Sequence, residues 1–136
     1  MIALAALAPA LHGCAVEWTR EHKLYCRMDE HLRIRDTLYF GLSIPGGGSV
    51  ADPDWSRFES DVISRAFPNG FSVVTGRGSW RGADGTIVSE PSRIVVIVHD
   101  DDAPSDAAVR DVVQRYRTEF RQEAVLRERT ATCVSL

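Results

Sequence analysis

Lysine is nearly missing from this chain. Of its 16 basic residues only Lys23 is a lysine, the rest being arginines, which we read as genome composition more than function. A basic excess is missing too: the formal net charge is −3 and the pI about 5.8. That excludes nucleic acid and an anionic membrane surface as default partners. Cysteine is sparse, with Cys14, Cys26 and Cys133 making an odd count of three that needs an explanation. No Ser-His-Asp or Cys-His arrangement carries a recognisable local signature. What is present is 136 residues, 44% hydrophobic and 26% charged. That is one globular domain's worth of sequence with a normal core, not a disordered tail.

Residues 1–11, MIALAALAPAL, are uncharged. They fall well short of the roughly 20 residues a membrane-spanning helix needs, but suit the apolar region of an export signal, about 7–15 residues. Leu11-His12-Gly13-Cys14 follows, and resembles a bacterial lipobox. In such signals the cysteine thiol takes a diacylglyceryl group before cleavage. No Lys or Arg precedes the run, although signals usually begin with positive charge; a start codon assigned too late would account for this. Two other readings stand beside it: a signal cleaved elsewhere, and a buried N-terminal helix of a cytosolic protein. On the first reading residues 1–13 are a lipoprotein-type signal, 14–33 a tether, and 34–136 the packed domain. The protein is then extracytoplasmic and held to a membrane by a lipid on Cys14. Cys26 and Cys133 remain in an oxidising compartment, where a pair tends to form a disulfide. Two inert thiols are the alternative.

Residues 36–44 alternate, with Leu38, Phe40, Leu42 and Ile44 on one face. This predicts a strand with one buried side, ended by Pro45-Gly46-Gly47-Gly48. Asp52-Pro53-Asp54 opens a helix, with Asp52 as N-cap. Trp55, Phe58, Val62 and Ile63 form its apolar stripe, and Pro68-Asn69-Gly70 stops it. Residues 71–80 and 86–99 read as strands joined at Asp84-Gly85. Ile94–Val98 is apolar on both parities, as in a strand covered on both faces. Ser105 or Asp102 caps a second helix carrying Val109, Val112, Val113, Tyr116 and Phe120. Residues 124–134 make the last strand.

The order β-α-β-β-α-β is the ferredoxin-like α+β arrangement: a four-stranded antiparallel sheet in spatial order 4-1-3-2, with two helices on one face. In that topology the end of the fourth strand lies near the start of the first. A Cys26–Cys133 bridge is therefore geometrically sensible, and it would contribute roughly 4–5 kcal/mol in the chain-entropy model. The other sheet face is open. A second copy, the 15–34 segment or a ligand would cover it; a face-to-face homodimer is an analogy from fold.

Other constellations have plainer readings. Gly46-Gly47-Gly48 lacks the Gly-Lys-Ser/Thr ending of a phosphate loop and has acidic neighbours, so it reads as a turn. His99-Asp100-Asp101-Asp102 reads as a strand end running into a helix-capping loop rather than a metal site. Cys26 and His31 find no second pair for zinc. No cofactor is implied. Tyr39, Arg77, Trp80, Glu90 and His99 form a set that can converge on the open face, where such groups bind an anion or do acid–base work. Ordinary sheet and hairpin packing is the simpler reading of the same residues. Two functions stand: a binding or interaction module, and a small dimeric enzyme with its pocket on the open face.

Leu38-Tyr39-Phe40-Gly41, Gly76-Arg77-Gly78-Ser79-Trp80-Arg81, Ile87-Val88-Ser89-Glu90-Pro91-Ser92 and the segment from Phe120 to Leu126 occur in that order. Together they resemble an uncharacterised bacterial family, domain of unknown function 3574, over about residues 34–136. The resemblance implies a small exported protein, often with a lipoprotein signal. It brings no activity and no catalytic residues to carry over.

The lipid reading gives a direct expectation. A palmitate analogue should label the wild-type protein and not Cys14→Ala; equal labelling of both refutes the anchor.

Overall fold

A computed structural model describes residues 25–135. The proposed signal and Cys14 lie outside those residues. The elements are β1 (His31–Gly41), α1 (Asp52–Phe58), a π-helical turn (Glu59–Ile63), α2 (Ser64–Ala66), β2 (Ser72–Arg81), β3 (Ile87–His99), α3 (Ala103–Glu119) and β4 (Leu126–Val134). The strands form one sheet in the order β2-β3-β1-β4, every neighbouring pair antiparallel. This is the ferredoxin-like α+β architecture expected from the element order.

β1 starts at His31, inside the segment expected to be lead-in, because β4 runs on to Val134 and pairs with it there. At its other end β1 stops at Gly41, and Ser43 forms only an isolated bridge to Ser49. Ala51, not Asp52, occupies the N-cap of α1. Asp52 is the first helical residue, and its carboxylate instead accepts from Arg93 Nη2 at 2.7 Å. Asp102 caps α3 by accepting from the Ser105 N–H at 2.7 Å. The first helical layer widens at the π turn. There the spacing of stacked residues is five rather than four, so Ile63 follows Phe58 into the core while Val62 is left half-buried.

The core lies between the helices and the even-numbered side chains of β1. Leu38 and Phe40 are fully buried against Phe58, Val109, Val112 and Tyr116. Aromatic edges interlock around Phe40, whose ring centroid is 4.7 Å from that of Tyr116 and 5.5 Å from that of Trp55. Burial raises the Tyr116 phenol pKa well above its usual value. Its hydroxyl stays satisfied by donating to the Gly41 carbonyl at 2.8 Å.

One charge sits in this layer. Asp36 is fully buried, and Arg127 grips both its oxygens at 2.8 and 2.7 Å while His99 Nε2 meets Oδ2 at 2.7 Å. Burial pushes the Asp36 carboxyl pKa up, but the hydrogen bonds and positive charge of Arg127, with those of His99, outweigh it. The net pKa is lowered below 3.8. Arg127 Nη2 also reaches Asp106 on α3 at 2.7 Å, so the cluster ties β1, β3 and β4 to the helix.

Cys26 and Cys133 are joined by a disulfide, with Cα atoms 5.4 Å apart, inside the range such bonds use. Thiol titration of the denatured, unreduced protein should therefore find neither of these two cysteines free.

A depressed carboxylate pKa adds stability that is complete above the unfolded value and is lost as pH falls through the folded one. Asp36 should thus support the fold fully at pH 5 and above, begin to lose that support as pH falls past its ordinary value of 3.8, and lose the rest as pH falls through its lowered folded value. Asp36→Asn, which leaves Arg127 and His99 facing a neutral group, should cost about 3 kcal/mol in urea denaturation at neutral pH. The difference should shrink in acid; a constant difference down to pH 2 would refute the assignment.

Candidate functional site

The odd-numbered residues of β1 and the even-numbered residues of the other strands face away from the helices. On this open face a cavity of about 360 Å³ is walled by Tyr39 and Gly41 of β1, Gly78 and Trp80 of β2, Glu90, Ser92 and Ile94 of β3, and Gln122, Ala124 and Leu126 before and at the start of β4. The long β2–β3 hairpin forms one wall. Its turn is fastened to the segment before β4 by the Ala83 N–H, which donates to Glu123 Oε2 at 3.3 Å.

Glu90 is the polar centre. It is 6% exposed. Oε1 accepts from Trp80 Nε1 at 2.6 Å and Oε2 from the Ser43 N–H at 2.7 Å. The carboxylate lies directly over Gly41: a Cβ there would sit 2.4 Å from Oε1. Glycine at position 41 is therefore required by space, since only a hydrogen fits beneath the carboxylate. Gly76 is similar, with Ile94 Cδ1 2.9 Å from the place of its missing Cβ.

Gln122 arrives by a different route. Arg121 adopts φ 52, the left-handed residue that ends α3, and the Gln122 N–H donates back to the Arg117 carbonyl. This turn sends the Gln122 side chain under the cavity, where Nε2 donates to the Ser43 carbonyl at 2.9 Å. Ser43 is thus held from both sides, its N–H by Glu90 and its C=O by Gln122. At the opposite edge the Tyr39 hydroxyl donates to Glu128 Oε2 at 2.7 Å. That bond to an acceptor is the main reason the Tyr39 pKa is raised.

Of the five residues expected to converge, Tyr39, Trp80 and Glu90 do. Arg77 contributes to the wall, but the register puts its side chain on the other side of the hairpin, where Nε donates to Ser89 Oγ at 3.2 Å. His99 does not belong to the set. It has the opposite parity from Glu90 on β3 and points to the helices, bonded to Asp36 and, through Nδ1, to the Asp100 carbonyl. It borders a separate depression of about 260 Å³ with Phe67, Pro104 and Ser105. Ser92 and Ile94 also line the cavity, as their parity with Glu90 on β3 requires, though the expected set does not include them. Gly41 and Gln122 both fall within the segments that carry the family resemblance, but nothing in the sequence marks either as part of a pocket. Among the described residues, Cys26, Glu30 and Cys133 bring metal-ligand types within 4.8 Å of one another, but both sulfurs are spent in the disulfide.

The fold and the cavity define a ferredoxin-like α+β domain with a pocket on its open sheet face. The chain belongs to the family described as protein of unknown function (DUF3574), whose model matches residues 35–136. No curated protein matches the chain. Among solved structures, a phage SAM lyase in complex with S-methyl-5′-thioadenosine is similar at TM-score 0.59 and 15% identity, over 84% of this chain and 95% of that one. The phage SAM lyase in its apo state is similar at TM-score 0.57 and 18% identity, over 83% and 96%. At these identities the likeness is one of fold.

Gly41→Ala should force the Glu90 carboxylate off its two donors. It should cost about 1–3 kcal/mol by overpacking and shift the Trp80 indole N–H resonance. An unmoved resonance would mean that the carboxylate does not rest on Gly41.

Proposed function

We propose that this domain binds a small molecule in the open-face pocket. The observation that carries the reading is the buried Glu90 carboxylate opening on a mostly apolar cavity of about 360 Å³. Ligand sites are typically concave and apolar, span about 300–1,000 Å³, and have few convergent polar groups. The size favours a compact ligand. A protein of the same fold, the phage SAM lyase, is recorded with S-methyl-5′-thioadenosine bound, which supports the fold's capacity for such a molecule. The lipobox-like N-terminus supports an exported, membrane-anchored setting for the pocket. Exposed Val74, Val98 and Leu126 on the open face offer a surface on which a second copy would close over it.

A second reading, a small enzyme, is favoured by one feature. The Tyr39 hydroxyl and the Glu90 carboxylate line the same cavity, as an acid–base pair would. Glu90→Gln separates the readings: it abolishes turnover if there is any and leaves a binding module folded.

The test of the binding reading is a fragment screen by NMR that includes S-methyl-5′-thioadenosine. Hits should move the Trp80 indole N–H and the methyls of Ile94 and Leu126, and Ile94→Trp, which fills the cavity, should weaken them at least about tenfold. A screen whose hits avoid these groups refutes the reading.

A further inference from the structure

Among the described residues two carboxylates are buried, one on each face of the sheet, and they are treated differently. Asp36 is held by Arg127 and His99. Glu90, at 6% exposure, meets only neutral donors, the Trp80 indole and the Ser43 amide. Among the described residues no basic side chain stands within ion-pair distance of it. The two nearest arginines in the register turn away, Arg77 to Ser89 and Arg93 to Asp52. A buried carboxylate is ordinarily paired, because leaving its charge uncompensated is costly. Here the charge faces a cavity instead.

The rest of the lining narrows what can answer it. Tyr39 and Trp80 supply aromatic rings, whose faces attract cations. Glu128, bonded to the Tyr39 hydroxyl, adds a second negative charge beyond the rim. Ile94, Leu126 and Ala124 supply apolar surface. A primary ammonium needs three acceptors, and Glu90 already spends acceptor capacity on Trp80 and Ser43. An ion with diffuse charge, an apolar surface and no N–H donors suits these walls better.

We infer that the ligand of this pocket is a small organic onium ion, a quaternary ammonium or a sulfonium, seated against Glu90 between Tyr39 and Trp80. The inference rests on the small-molecule reading above and names the ligand's charge class. Glu90 is then the group that selects charge, and anionic ligands are excluded.

The test uses charged probes and their uncharged isosteres on the purified full-length protein, read by calorimetry and by the Trp80 indole resonance. The pairs are choline with 3,3-dimethylbutan-1-ol, and (2-hydroxyethyl)dimethylsulfonium with 3-methylbutan-1-ol. At least one cation should bind about tenfold or more tightly than its alcohol. Glu90→Gln keeps an acceptor for Trp80 and should bring the pair within about twofold of each other. Ser92→Lys, which leaves Glu90 in place and adds a resident ammonium two residues away on the same face, should do the same. Equal binding of cation and alcohol in the wild type overturns the inference. So does a cation preference that survives both substitutions, or the failure of all four probes. In each of these cases the small-molecule reading stands if neutral fragments still move Trp80 and Ile94, and falls with the inference if they do not.

Discussion

The period of two along β1 constrains both faces of the domain at once. β1 is a central strand paired with β3 and β4 without a bulge, so each residue's side is fixed by its number. Leu38 and Phe40 enter the core, and Tyr39 and Gly41 enter the pocket. A slip of one residue would exchange the two sets, placing Phe40 under Glu90 and the Gly41 carbonyl out of reach of Tyr116. The hydrophobic core thereby holds the pocket in register. The bond from Tyr116 to the Gly41 carbonyl runs from the core to the backbone beneath the site.

The two buried carboxylates show how one sheet supports two electrostatic designs. On the helix side Asp36 is saturated by His99 from β3 and Arg127 from β4, and Arg127 passes the connection on to Asp106. That arrangement locks elements together and leaves nothing for a ligand. On the open side Glu90 is positioned by neutral donors, with Ser43 itself held by Gln122. Fixed geometry with unneutralised charge is what a recognition group needs.

Much of this was legible in the sequence, for identifiable reasons. Alternation gave the strands, the 3.6 period gave the helices, and their order gave the sheet. The sheet order in turn placed Cys26 beside Cys133. Tyr39, Trp80 and Glu90 were legible as a set because they fall on one side of adjacent strands. His99 does not join them: it lies nine positions from Glu90, an odd spacing, and a bulge-free β3 sends it to the other face. The doubly apolar Ile94–Val98 run hid this parity. The π turn is not legible in the stripe, which puts Val62 and Ile63 together, whereas the turn buries Ile63 and leaves Val62 half-buried. Gln122 lies in the family segment, but its place under the pocket depends on the left-handed Arg121, an arginine where glycine is the usual marker.

The disulfide spans 107 positions of sequence, which closes residues 26–133 into a covalent ring. Tension applied ahead of Cys26 and beyond Cys133 passes through the sulfurs and meets the sheet only at the last residues of β4. The pocket and the core lie off that line of force. A pull on the chain ahead of Cys26, against anything held at the C-terminal end, would load a covalent bond instead of the hydrogen bonds of β1.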